Sequence, residues 1–359
     1  MTAAHSNIIT GVTLAMVATL SWALNFVAPY VTGAYSIYDL MVVRFLIAGA
    51  LGVGVVALCR AQLRLLRRDQ QLLAAGLGVI GYLGYSSCIA AGVIFGGPVL
   101  TPAFIGMVPV LLALLGNVAR KTLPWRRLMV PLTFLTVGLV LSNISSINQP
   151  FAGNGSWPKG LFFSISAVVL WLAFSLLNQQ ALKELSANAT GIWTGLMMAG
   201  AGLGTLCLLP IGQALDLFKL MSLGFSMSLT GHLYLWGLVI AVMSSLIGAG
   251  AWNAACRRLP MVLSGQLIAL ESLFATLFGL LFHGRLPTAL EASGLAAVLV
   301  GVVMAVRIIL TAIDNSGQGQ KDRLPAVGSA ADTTDLLADA EPTFSTDSAV
   351  SGHAKSDRG

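Results

Sequence analysis

Long apolar runs, each about the length of a membrane-crossing helix and separated by short polar turns, recur along this 359-residue chain as far as about residue 312. A hydrocarbon core about 30 Å thick takes about 20 apolar residues in helical form. On that measure the pattern predicts ten spans, at residues 8–32, 37–58, 71–94, 98–119, 127–144, 159–181, 190–211, 232–256, 260–283 and 288–311. Continuous apolar runs suit helices; the strands of an outer-membrane barrel alternate apolar and polar positions over about ten residues each. The first span has only His5 as a basic group before it and is longer than the core of a cleaved signal segment, so it is expected to stay as a helix.

Composition agrees with the pattern. Hydrophobic residues make up 56% of the chain and charged residues 9%, too little polar surface to wrap the apolar part in water, so the fold class expected is an all-α integral membrane protein. From residue 313 the composition turns to Ser, Gly, Ala, Thr and Asp, and residues 313–359 are expected to be a disordered cytoplasmic tail, because such a segment buries too little to offset its ordering entropy. Residues 1–312 carry 16 Lys/Arg against 6 Asp/Glu, and the tail carries 4 against 8. The basic excess therefore belongs to the membrane part and does not point to a nucleic-acid partner.

Within that part the basic residues cluster after alternate spans: Arg60, Arg64, Arg67 and Arg68 after the second, Arg120, Lys121, Arg126 and Arg127 after the fourth, Lys183 after the sixth, Arg257 and Arg258 after the eighth. The opposite loops carry only Lys159, Lys219 and Arg285. By the positive-inside rule both termini are expected in the cytoplasm, as an even number of spans requires.

The chain also repeats itself. "LSWALNFVAPYV" in span one parallels "LWLAFSLLNQQA" in span six, and "PVLTPAFIGMVPVLLALLG" in span four parallels "PMVLSGQLIALESLFATLFG" in span nine. Five spans per copy is an odd number, so the second copy, residues 146–312, is expected to enter the membrane inverted relative to the first, residues 1–145. Inverted repeats are the architecture of alternating access in secondary transporters.

At "RFLIAG" (Arg44 to Gly49), "AWNAACRRLPMVLSGQLIALESLFATLFG" across spans eight and nine, and "GLAAVLVGVVMAV" in span ten, the chain resembles the EamA-type bacterial permeases of the drug/metabolite transporter superfamily. The resemblance covers about residues 8–310. It implies a ten-helix permease of the bacterial inner membrane, with export (efflux) or exchange of small metabolites such as amino acids. Members usually carry Gly-Glu shortly after span nine, where this chain has Gly284 and Arg285, so no role passes to that position.

Ionisable groups inside a membrane are functional-site candidates by default. Glu271 sits in the middle of span nine, on a helical stripe with Ser264, Ile268, Ser272, Ala275 and Gly279, and with Gln266 beside it. A carboxylate there either exchanges a proton or binds a substrate amine, or else is held by hydroxyls or backbone. Arg44, seven residues into span two, either recognises a substrate carboxylate or is anchored by carbonyls, by Asp39 or at the interface. Trp22, Asn25, Phe26 and Pro29 share a face of span one, and Trp171, Phe174, Ser175 and Asn178 share one of span six. Tyr82, Tyr85 and Ser86 in span three, with Ser245, Gly248 and Trp252 in span eight, complete the expected walls of a site, although each aromatic alone reads as packing or interfacial anchoring. Pro102 and Pro109 are expected to bend span four. The spacings "GVIFG", "GIWTG" and "GAGLG" are expected to pack helices closely.

The leading functional reading is a secondary transporter whose partners are a small-molecule substrate, the lipid bilayer and protons; a homodimer stays open. No nucleotide-binding P-loop, HExxH or GxSxG motif occurs, and His5, His232, His283 and His353 are scattered, so neither an enzyme, a metal site nor a cofactor is expected. Cys59, Cys88, Cys207 and Cys256 fall singly on spans and read as packing residues. The alternatives are a membrane scaffold or receptor, whose bundle needs no wet cavity, and, behind it, a membrane-embedded enzyme.

Overall fold

The computed structural model describes residues 3–120, 124–147, 156–282, 284 and 286–321. Its long helices are α1 (Ala3–Ala23), α2 (Ile37–Leu58), α3 (Arg68–Gly78), α4 (Tyr85–Gly106), α5 (Val108–Arg120), α6 (Trp125–Ile147), α7 (Trp157–Glu184), α8 (Thr190–Ala214), α9 (Met227–Ile240), α10 (Ala249–Cys256), α11 (Met261–Leu267), α12 (Ala269–Phe282) and α13 (Ala289–Lys321). No strand occurs among the described residues. Eight stretches are long and apolar enough to cross a membrane, namely His5–Phe26, Ile37–Leu58, Arg68–Gly96, Trp157–Glu184, Ala187–Ala214, Thr230–Cys256, Met261–Phe282 and Ala289–Ala312.

The differences from the expected ten lie at spans four and five. A turn is expected near residues 95–97, but α4 runs on to Gly106 and breaks at Met107, which leaves a shorter apolar helix, Phe104–Val118, where span four is expected. The place of span five is taken by α6. One compact unit covers Met1–Asp314. Helix α13 continues to Lys321, and the expected tail beyond it lies outside the described residues.

In lipid the helices have no hydrophobic drive toward one another, so close backbone approach and interhelical hydrogen bonds must hold the bundle. Helix α2 packs along α8, α4 along α7, α5 against α11, and α1 against α10. The first of these crossings shows the requirement at its sharpest: a Cβ placed on Gly49 would lie 2.7 Å from Gly202 Cα, so any side chain there would push the two helices apart. Two of the small-residue spacings behave as expected, since Gly96 meets Gly160 and Gly200 meets Ala75; in the third Gly195 meets Val55 and Gly52, but Gly191 has open space around it. Trp193, Phe45 and Phe174 are the bulkiest fully buried side chains, while Leu58, Leu72, Phe162 and Leu203 face outward as lipid-contacting residues should. Cys256 is buried and Cys59 and Cys88 are half-buried, but Cys207 is exposed and so is not the packing residue expected.

At one end of the bundle Asp39 closes the start of α2. Its carboxylate accepts the N–H of Ser36 at 2.8 Å, and also the N–H groups of Lys219 and Leu220, both at 3.1 Å. Asp39 therefore ties α2 to the segment after α8 and is not a partner of Arg44, five residues along the same helix.

Candidate functional site

Four helices are interrupted where they pass the middle of the bundle. Helix α1 gives way to a 3-10 turn at Leu24–Val27, which carries Asn25. The helix begun by α3 widens into a π-helical segment at Val79–Gly84, and the one begun by α9 does the same at Ala241–Gly248. Between α11 and α12 the chain breaks at Ile268, where the Glu271 N–H turns back to the Ile268 carbonyl at 2.9 Å, so Glu271 lies in the first turn of α12. Irregular backbone at membrane depth survives only when it is buried in protein or lines a cavity, and π-helical turns gather at functional sites.

These interruptions bring three candidate residues onto one serine. Ser244, in the second π-helical segment, accepts hydrogen bonds at its Oγ from Asn25 Nδ2 and from Arg44 Nη2, each at 3.1 Å, and its backbone carbonyl accepts from Trp22 Nε1 at 3.1 Å. Arg44 Nε also reaches Ser245 Oγ at 3.4 Å. The guanidinium is thus held by neutral hydroxyls and stacks near the Phe45 ring, 4.7 Å from its centroid. Glu271 lies within electrostatic reach of Arg44 and Tyr85 without forming a direct ion pair; among the described residues the side chains that do form one include the exposed Arg67 and Asp69, at 2.9 Å. Arg44 and Glu271 are both half-buried, so neither is sealed in the core.

Beside this polar cluster runs a continuous aromatic array. Trp22 stands 5.2 Å from Trp252 and 5.5 Å from Trp171, and Trp171 lies 4.6 Å from Tyr85 and 5.1 Å from Phe174, which in turn lies 6.1 Å from Tyr82. Two glycines make room for it. A Cβ on Gly248 would fall 3.0 Å from Trp22 Nε1, and one on Gly81 would fall 2.2 Å from the Phe174 ring.

Among the described residues, six buried side-chain polar atoms have no hydrogen-bond partner: Asn25 Oδ1, Tyr82 Oη, Trp171 Nε1, Ser175 Oγ, Trp252 Nε1 and Gln266 Oε1. Buried polar groups in native proteins are nearly always paired, and each exception asks for a reason. Five of the six belong to candidate residues named from the sequence, and Ser175 lies on the span-six face singled out there. Ser175 and Trp252 border a cavity of about 10 Å³ together with Gln179 and Ser264, room for about one water molecule.

Asn178 and Gln266 do not join the array. Asn178 Oδ1 accepts from Trp193 Nε1 and its Nδ2 donates to Asn253 Oδ1, both at 2.8 Å, and Asn253 Nδ2 donates onward to Thr194 Oγ1 at 2.8 Å. Gln266 Nε2 donates to the Val262 carbonyl one turn back at 3.1 Å. Nearby, Gln179 Nε2 reaches the Leu259 carbonyl and Ser264 Oγ, each at 3.3 Å, and Arg257 donates to the carbonyls of Leu182 and Leu185 at 2.7 and 2.6 Å. Partial burial, with Arg258 beside it, lowers the Arg257 pKa from its ordinary value. Phe26 is exposed, away from the Trp22 array, and the side chains of Pro29 and Pro102 lie outside the described residues. The break at Ile268 splits the span-nine stripe, so Ser264 bonds Gln179 while Glu271 lies in electrostatic reach of Arg44 and Tyr85.

The chain between α1 and α2, the start of α9 and the end of α12 enclose a separate cavity of about 400 Å³ with an apolar wall that includes Val31, Tyr35, Leu233, Trp236 and Phe282 and a rim that includes His232. It is continuous in the chain with the central site. Val31 follows Asn25 by six residues, and Phe282 ends the helix that carries Glu271.

Sequence reasoning missed Ser244 and the Asn253–Thr194–Trp193 network. Adjacent serines at 244 and 245 in an otherwise apolar span were the available signal for the first. The second gave none, because Asn253 and the Trp193–Thr194 pair lie on two spans and meet, through Asn178 on a third, only when those helices pack.

The chain is 30% identical over 311 residues to the inner membrane protein YtfF of Escherichia coli strain K12, covering 83% of this chain and 95% of that one. A solved crystal structure of a protein superposes with a TM-score of 0.65 at 18% identity, over 83% of this chain and 96% of that one, a likeness of fold alone. No family model matches the chain.

Proposed function

This chain belongs to the family of the inner membrane protein YtfF, and from that premise we propose that it is a secondary transporter of small organic metabolites, an EamA-type permease of the bacterial inner membrane that works as an exporter or exchanger by alternating access. The observation that carries the reading is that buried polar atoms of Tyr82, Trp171 and Trp252 on the aromatic array, with Asn25 Oδ1 beside them, are unpartnered next to a half-buried arginine and a half-buried glutamate that do not neutralise each other. A folded chain keeps buried donors and acceptors unsatisfied, at about 1–3 kcal/mol each, where something other than stability is served. A passing substrate with amide-, amine- or carboxylate-like groups and an apolar body satisfies them.

Ten spans in two inverted five-span repeats are part of the proposal. Supporting it, π-helical segments interrupt the third and the eighth spans, and single-residue breaks at Met107 and Ile268 fall within the two paralleled stretches of spans four and nine. Pairings also correspond under a shift of five: span two lies on seven, four on nine, three on six and one on eight. With both termini in the cytoplasm, the 400 Å³ cavity is the outer mouth and the Gln179–Arg257 region is the inner closure. Glu271 is the coupling group, taking up a proton or a substrate amine.

The test is movement of a panel of labelled amino acids and small metabolites in proteoliposomes, with and without a pH gradient. Native protein is expected to move one class, and Glu271→Gln to lose gradient-driven movement by about a hundredfold or more, the lower end of what a proton-transferring group contributes. Gradient-driven transport that persists unchanged in the variant would remove Glu271 from the mechanism. No transport of any compound by folded native protein would leave the scaffold or receptor reading standing.

A further inference from the structure

The Ser244 hydroxyl gathers donors from two other spans, and nothing about a lipid-embedded helix requires it. A serine in a membrane helix satisfies itself by bonding a carbonyl one turn back, as Thr19, Thr205 and Thr230 do here. Ser244 Oγ instead receives two donors from two other spans, Asn25 Nδ2 and Arg44 Nη2, both at 3.1 Å. Its neighbour Ser245 receives Arg44 Nε at 3.4 Å. Two adjacent side chains reach one guanidinium because they sit on a π-helical segment, where more residues share each turn and successive side chains diverge by a smaller angle than on an α-helix.

Guanidinium carries five N–H donors in a planar fork suited to carboxylate and phosphate oxygens. Here Nε and Nη2 are committed to the two serines, so the Nη1 edge is the one left for an anion. Without the serines a half-buried arginine would seek a carbonyl, the interface or Glu271 itself. We propose that Ser244, assisted by Ser245, is the positioning residue that holds Arg44 away from Glu271 and presents its free edge to an anionic group of the substrate, a carboxylate being the group that matches a single guanidinium edge. The inference rests on the transport reading for the identity of the anion, but the positioning of Arg44 can be tested without it.

Two measurements separate these layers. In detergent-solubilised full-length protein, the rate of phenylglyoxal modification at Arg44, followed by peptide mass spectrometry, is expected to fall several-fold in Ser244→Ala, as the guanidinium turns to Glu271, and to stay at the native rate in Ser244→Thr, which keeps the hydroxyl. An unchanged or higher rate in Ser244→Ala, or an equal fall in Ser244→Thr, would overturn the positioning role, and Arg60 in the same digest reports any general loosening. In proteoliposomes, uptake of labelled L-phenylalanine is compared with that of its carboxamide. Ser244→Ala is expected to lower the carboxylate compound's uptake about tenfold and the carboxamide's little, and equal losses for both would overturn the anion assignment. If native protein moves neither compound nor any other of the panel, the transport reading fails while the arginine measurement still decides the role of Ser244.

Discussion

Trp193 and Trp252 are both buried tryptophans facing the same group of helices, yet one indole N–H is bonded to Asn178 and the other has no partner. The same contrast separates Asn253, whose amide is bonded at both ends, from Asn25, whose Oδ1 is left over. One region, where Asn178, Trp193, Thr194 and Asn253 meet, closes its hydrogen bonds internally. The other, around Asn25 and the array of Trp22, Trp171, Trp252 and Tyr82, leaves them open, although α7 and α10 supply side chains to both. Residue type does not distinguish the two regions; satisfaction does. A closed network stabilises and fixes register, whereas open donors and acceptors in a preformed aromatic setting are what a ligand site looks like before its ligand arrives.

The comparison breaks first at Asn253. Asn253→Ala is expected to leave Asn178 Nδ2 without its partner, at about 1–3 kcal/mol, and to take a donor from Thr194 Oγ1, which still donates to the Thr190 carbonyl, while Asn25→Ala strands less because Ser244 keeps Arg44. Thermal unfolding in detergent should show the Asn253 variant well below native and the Asn25 variant close to it. Equal losses would mean that both regions are structural.

The tryptophans sharpen it with a smaller change. Trp193→Phe removes one N–H and leaves Asn178 Oδ1 unpaired, with an expected cost of about 1–3 kcal/mol. Trp252→Phe removes a donor that is already unpaired, so stability should hold or rise while uptake of the transported compound falls. A stability loss in Trp252→Phe matching that in Trp193→Phe would mean that the orphaned N–H is bonded after all. The smallest effect belongs outside both regions. The exposed Arg67–Asp69 pair should contribute about 0–1 kcal/mol, so Arg67→Ala is expected to leave both unfolding and uptake near native.

Much of the site was legible before the fold. Intramembrane charge singled out Glu271 and Arg44, and a face holding amide and aromatic together singled out Trp22 and Asn25, because burying such groups in lipid is costly enough to mark the residues that do it. The same criterion also pointed to Asn178, which turned out to be bonded within the closed network. Periodicity cannot tell a satisfied amide from an unsatisfied one, since the partner sits on another helix, 75 residues away in the case of Asn253.

By itself the sequence determined that this chain is an all-helical membrane protein, because apolar length and charge scarcity leave a chain in lipid no other way to satisfy its backbone. It also singled out the few ionisable and amide side chains that sit within apolar spans. Only the tertiary structure decided where helices break, that Asp39 belongs to a helix cap while Arg44 belongs to Ser244, and which of the buried polar groups are closed and which are open. Those outcomes depend on distances between residues far apart in the chain, and helix packing sets such distances through close approaches like Gly49 on Gly202, which no local pattern encodes.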